Sequence, residues 1–156
     1  MHSKENVAEP VEKTNTEPTL VFTNMLSKKS KYALKALSYL AEHYQDGPCL
    51  IAEISKDKKI PLKFLENILL DLKRAEILES KKGKGGGYFL KVAPSSISVA
   101  KALRAVEGPI ALLPCVSLNF YEKCKDCNER TCGLKKVLAQ ARDATLQVLE
   151  NKVLSD

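Results

Sequence analysis

Residues 60–90 read IPLKFLENILLDLKRAEILESKKGKGGGYFL, and the fold turns on them. The first half sets Leu65, Ile68, Leu69, Leu72 and Ala75 at helical spacing, which makes one apolar face. Pro61 fits near the start of that helix, where a missing N–H costs little. The second half places two short apolar or aromatic runs around a basic, glycine-rich turn, the pattern of a β-hairpin. A phosphate-binding loop is a poor reading of the same glycines. The dinucleotide fingerprint needs a third glycine where Tyr88 stands and a helix where a strand-like run follows, and no Gly-Lys-Ser/Thr is present. Gly85 and Gly86, among Lys81, Lys82 and Lys84, suit instead a tight hairpin tip lying against a sugar–phosphate backbone.

Upstream, SKYALKALSYLAEHY (30–44) predicts a helix with Ser30 as N-cap and Ala33, Leu37, Leu40, Ala41 and Tyr44 on its inner side. QDGP stops it, and LIAEISKD predicts a short second helix. Three helices followed by a hairpin within residues 25–93 make a winged helix-turn-helix, in which the third helix enters the major groove with the wing beside it. The outer face of that helix carries Lys63, Glu66, Asn67 and Arg74. Lys63 and Asn67 offer donors to bases or phosphates, and Glu66 can accept from a cytosine amino group. Phe64 either meets a thymine methyl or simply covers the helix start.

Downstream, residues 94–156 predict a further helix in PSSISVAKALRAVEG, capped by Ser95 or Ser96 and ended by Gly108. An irregular, cysteine-bearing stretch follows. Then CGLKKVLAQARDATLQVLENKVL predicts a long helix whose stripe is Leu134, Leu138, Ala141, Thr145 and Val148. Small residues in the stripe allow close approach of another helix, from a second copy or from its own domain, and a second copy is expected because a lone winged helix reads too few base pairs for strong specificity. A two-fold dimer would read two half-sites of a palindromic operator in double-stranded DNA. The expected class is therefore mostly α with one small hairpin.

Charge supports a polyanion partner. The chain has net charge +6, and residues 25–93 alone hold 14 Lys/Arg against eight Asp/Glu. Residues 1–24, rich in Glu, Thr and Pro, predict a disordered acidic tail. No apolar run approaches the ~20 residues of a membrane span, and the start lacks a signal-peptide pattern, so the expected location is the cytoplasm. Thiols stay reduced there. No paired base and nucleophile appears, so an enzyme is not expected.

CKDCNERTC (124–132) is then the chemical question. With Cys115 it gives the spacing C-x8-C-x2-C-x4-C over Cys115, Cys124, Cys127 and Cys132. Thiolates suit iron–sulfur clusters or zinc, while a thiol–disulfide switch needs only two of the four. One CxxC without a second knuckle makes zinc the less natural choice. Cys132 opens the long helix, whose dipole favours a thiolate, and Lys123, Lys125 and Arg130 act the same way. Cys49 reads as a small buried hydrophobe and His43 as a surface residue at a helix end.

SKYALKALSYLA, the 60–90 stretch, VAKALRAVEGP and CGLKKVLAQARDATLQVL together resemble the bacterial winged-helix regulators typified by IscR, NsrR and CymR, over about residues 25–154. That resemblance implies a homodimeric DNA-binding transcription regulator with crossed C-terminal helices. It puts DNA contacts on Lys63, Phe64, Glu66 and Lys82, with Gly85–Gly87 shaping the wing. Members with cysteines in this loop bind a 2Fe–2S or 4Fe–4S cluster and sense cluster, nitric oxide or redox status; others lack one and answer thiol or metabolic signals. Two departures follow. The IscR pattern has a histidine where this chain has Lys135, and NsrR-like proteins have an aspartate where it has Lys31, so an all-cysteine site using Cys115 is the natural replacement. The leading expectation is a repressor or dual regulator sensing through its cysteine loop. The alternatives are a cluster-free thiol or metabolite sensor, and a protein-interaction module with a structural zinc.

Overall fold

The structure, a computed structural model, describes residues 26–156; the acidic tail expected at 1–24 lies outside the described residues. Helix α1 spans Lys28–Glu42, α2 Ile51–Lys58 and α3 Leu62–Arg74. Strands β1 (Leu78–Lys81) and β2 (Gly87–Leu90) form the hairpin, followed by α4 (Val99–Glu107) and α5 (Gly133–Asn151). Among the described residues the protein is mostly helical with one antiparallel hairpin, as the pattern predicts.

Helix α1 starts earlier than expected. Ser27, not Ser30, is its N-cap, accepting from the Ser30 backbone N–H at 3.2 Å. Ser30 is fully buried one turn inside, and its hydroxyl donates to Glu107 at 2.7 Å. The Ser27 hydroxyl also donates to Glu107. A carboxylate from the end of α4 thus sits on the positive end of α1. Ala33, Ala36, Leu37 and Leu40 form the buried face; Tyr44 lies past the helix end and is exposed.

The helix-turn-helix is closed by local chemistry. Lys59 adopts a left-handed conformation, and the Ser55 hydroxyl donates to the Ile60 carbonyl at 2.7 Å, turning the chain into α3. Leu65, Ile68, Leu69 and Leu72 of α3 are fully buried, while Ala75 caps the helix and is half-buried. The chain reverses at left-handed Glu76, and β1 pairs with β2 in the register Leu78↔Leu90 to Lys81↔Gly87. Cys49 adds an isolated bridge on the other edge of β2. Its N–H donates to Tyr88 O at 2.8 Å and its carbonyl accepts from Tyr88 N–H at 2.9 Å. Only glycine fits at position 87, since a Cβ there would collide with the Cys49 carbonyl.

Helix α4 is capped by Ser98, which accepts from Lys101 N–H at 3.1 Å, rather than by Ser95 or Ser96. Pro94–Ser96 instead form a 3-10 turn. Gly108 ends α4 at φ +89°. Ile97, Ala102 and Val106 join the same core as α1 and α3. Among the described residues that core contains no buried Phe or Tyr; apart from Cys49 it is built of Leu, Ile, Val and Ala, as composition implies.

Helix α5 stops at Asn151, three residues short of the expected end. The chain then pairs with the approach to α4: Val99 N–H donates to Lys152 O at 2.8 Å and Leu154 N–H to Ile97 O at 3.0 Å. Of all α5, Leu146 alone is buried. Leu134 and Val148, at the two ends of the expected stripe, are 59% and 62% exposed, and Ala141 and Thr145 are exposed between them. Leu138, the remaining member, is half-buried, so the stripe is largely but not wholly free of its own protomer.

Candidate nucleic-acid interface and cysteine loop

The outer face of α3 is open and carries polar residues beside the exposed Leu62, Phe64 and Leu70. Lys63, its side chain 95% exposed, lies 3.4 Å from Glu66, and Asn67 is exposed one turn on. At this exposure the Lys63–Glu66 pair holds neither group firmly. Phe64 is 42% exposed and meets Tyr32 of α1 edge to face. Arg74 is drawn to Asp71 at 3.3 Å, and Asp71 also binds Lys29 at 2.7 Å, so the C-terminal end of the face is tied back to α1.

The wing joins this helix directly, through Lys73 Nζ donating to Ser80 Oγ at 2.6 Å. At its tip Gly86 N–H donates to Gly83 O at 3.0 Å. Gly83 and Gly85 take φ of +87° and +71°, a region other residues avoid. Gly86 has no room for a Cβ beside the Lys81 carbonyl. Lys81, Lys82 and Lys84 are all exposed around that turn. A strand follows it and no helix, which removes the phosphate-loop reading on geometry as well as on motif.

The cysteine loop is organised by residues that spacing does not single out. Glu129 accepts from Tyr121 Oη at 2.7 Å, Lys135 Nζ at 2.8 Å and the Cys124 N–H at 3.1 Å. Lys135 also lies over the Tyr121 ring, 5.4 Å from its centroid. These donors, Lys135 first, hold the Glu129 carboxyl down at about 2. Glu129 thereby ties the CxxC segment to the first turn of α5.

Within that frame Cys124 and Cys132 are half-buried and Cys127 is exposed. Donating its S–H to Cys124, then to Cys132, pushes the Cys127 thiol up to about 12, since ionising it would lose those bonds and, to a lesser degree, crowd negative charge together. Cys132 is shifted down, chiefly by the backbone N–H of Lys135 and then by Cys127, as its place at the start of α5 predicts. Cys115 is buried in a 3-10 turn, Pro114–Val116, that packs on α5. Arg142 of α5 donates to the Val116 carbonyl. The structure therefore brings Cys124, Cys127 and Cys132 together. Among the described residues, however, no group of three or more potential ligands closes as a metal cradle. The donor chemistry fits a thiolate-held centre, and closing one needs the loop to rearrange. Cys49 lies buried at the wing, and His43 caps α1 beside Asp46.

An open recognition helix and a lysine-bearing wing on one core define a winged helix-turn-helix protein of the DNA-binding class. Comparison with known proteins gives the family. The sequence profile of Rrf2, described as an iron-dependent transcriptional regulator, matches residues 26–156, and the chain belongs to this family. It is 42% identical over 136 residues to an rrf2-like HTH-type transcriptional regulator of Rhodobacter capsulatus, covering 85% of this chain and 91% of that one. It is 36% identical over 90 residues to IscR of Aliivibrio salmonicida, covering 58% of this chain and 54% of that protein. Among solved structures, CymR, the global cysteine regulator of B. subtilis, superposes with a TM-score of 0.69 at 27% identity, over 84% of this chain and 93% of its own. The protein is a DNA-binding transcription regulator and not an enzyme. Among the described residues no helix is long and apolar enough to cross a membrane.

Proposed function

We propose that the protein is a homodimeric repressor of palindromic operators whose cysteine loop reports iron–sulfur or redox status. One observation carries the DNA reading: the outward α3 face of Lys63, Glu66 and Asn67 shares a core with a glycine-shaped wing bearing Lys81, Lys82 and Lys84. In this reading residues 25–93 bind DNA, while 94–156 carry the sensor loop and the dimer seam. The largely exposed stripe on α5 supports the seam, since a second α5 is the simplest partner for it.

Cys124, Cys127 and Cys132 would hold an iron–sulfur cluster, with Cys115 as the fourth thiolate. Such a group, when bound, supplies one-electron redox chemistry and reactivity toward nitric oxide. The chain's own contribution is mechanical. Recruiting Cys115 moves the Pro114–Val116 turn, which Arg142 fastens to α5, so the state of the loop reaches the dimer seam and the spacing of the two recognition helices. Affinity then changes only as far as the two states bind the operator differently. A cluster-free thiol switch is the second reading, favoured by Cys127 lying in reach of both Cys124 and Cys132. There a peroxide, reduced to water, would take two electrons and two protons from two thiols as they join.

Anaerobic purification, an absorption spectrum and iron, sulfide and zinc analysis separate these readings. The expected result is a coloured protein with iron and sulfide in equal amounts. A colourless, iron-free protein after reconstitution would leave the thiol switch, and stoichiometric zinc would point to a structural centre. Salt-sensitive, sequence-selective gel shifts on palindromic promoter fragments are expected, and uniformly weak binding to every fragment would sink the specific-regulator reading.

A further inference from the structure

The first turn of α3 displays an aromatic ring that the core does not absorb. Phe64 is 42% exposed beside the almost fully exposed Lys63. Leaving such a ring in water is unfavourable, so covering it in a complex yields binding energy. The ring is also held in place. Tyr32 of α1 meets it with centroids 5.7 Å apart and planes at 82°, the edge-to-face arrangement that ring quadrupoles favour. Tyr32 is itself packed against the buried core.

Place and chemistry agree on what such a ring would touch. The N-terminal turn of a recognition helix is the part that reaches base edges. On the floor of the major groove the thymine C5-methyl is the apolar feature, and Phe is among the side chains that suit it. The neighbouring Lys63, Glu66 and Asn67 are equipped for hydrogen-bonding groups, and of the two exposed apolar side chains in this turn, Leu62 and Phe64, the ring of Phe64 is the one braced by an aromatic partner.

We propose that Phe64 is a specificity-determining contact to a thymine C5-methyl group, with Tyr32 as the positioning residue that braces it. The inference rests on the reading of α3 as the recognition helix, and it requires a thymine opposite the first turn of α3 in each half-site.

The test starts from the full chain and a preferred duplex selected from a random library. Each thymine is then replaced in turn by deoxyuridine, which pairs identically but lacks the methyl. At one position per half-site, affinity of the unaltered protein should fall about fourfold, the worth of one buried methyl-sized group. Phe64→Ala should bind thymine and deoxyuridine duplexes alike at that position. Tyr32→Phe should keep the discrimination and Tyr32→Ala should shrink it, a ratio that a purely structural role for Tyr32 would not move. A preferred duplex bound equally with and without every methyl would overturn the inference alone. Failure of the selection to return any preferred duplex would overturn the recognition-helix reading and this inference with it. The deoxyuridine series uses the unaltered chain, so its outcome does not depend on a variant folding.

Discussion

Lys82 is exposed at the wing tip with no side-chain partner among the described residues, so in the proposed DNA reading its contribution is almost purely electrostatic. Lys82→Ala should weaken binding to many sequences alike and flatten the salt dependence by roughly one unit per protomer, read from a salt titration. Unchanged affinity across that titration would count against the wing as a backbone contact. Cys115 is the complementary case, a buried thiol at the edge of the cysteine loop. In an anaerobically purified protein, Cys115→Ala should lose most of its bound iron while its helical circular dichroism stays unchanged; iron retained at the original stoichiometry would remove Cys115 from the ligand set.

Among the elements, the start of α1 and the end of α4 show best where sequence reading stops. Periodicity locates both helices, and turn chemistry locates the hairpin, because those signals are local. The same reading misplaces the caps, Ser30 for Ser27 and Ser95 or Ser96 for Ser98, because the deciding partners are not local. Glu107 reaches Ser30 across 77 positions of chain, and Ser98 is preceded by a 3-10 turn that only the packed structure selects. The cysteine spacing is equally legible, whereas Glu129 as the residue that gathers the loop is not, since nothing in CKDCNERTC separates it from an ordinary surface carboxylate. The Glu107 contact has a pH signature. Hydrogen bonds from Ser27, then Ser30, hold its carboxyl below the ordinary range despite some desolvation. A depressed folded value adds stability above the usual carboxylate range, and that stability is lost as pH falls through the folded value. Solvent screening keeps the effect to about 1 kcal/mol. Glu107→Gln should therefore lower Tm near neutral pH, and the gap should close as wild type is taken into the acid limb. A constant gap at every pH would show that the carboxylate's charge does not matter.

For the whole molecule, the decisive surface is α5. A stripe with Val148 62% exposed is expected to be covered in the working assembly. Val148→Asp should shift the protein from dimer to monomer in light scattering and cost operator affinity far beyond the loss from any single wing lysine, because one half-site is then read alone. A Val148→Asp protein that remains dimeric would place the seam elsewhere.

The hydrogen bonds that pin Lys152 and Leu154 to the approach of α4 give α5 a fulcrum. Its other end is the cysteine loop, 19 residues away, or about 28 Å along the axis. A beam held at one end moves most at the other: a tilt of about 10° carries Cys132 some 5 Å, roughly one helical turn, while the anchored end stays with the core. In the proposed reading the sensor loop therefore sits where small angular changes are largest and the DNA-binding core where they are smallest. Cutting the chain after Asn151 would leave every cysteine in place but remove both hydrogen bonds, leaving the Arg104–Glu150 pair and buried Leu146 near that end. In the proposed reading that cut should weaken the link between the loop and the DNA-binding core.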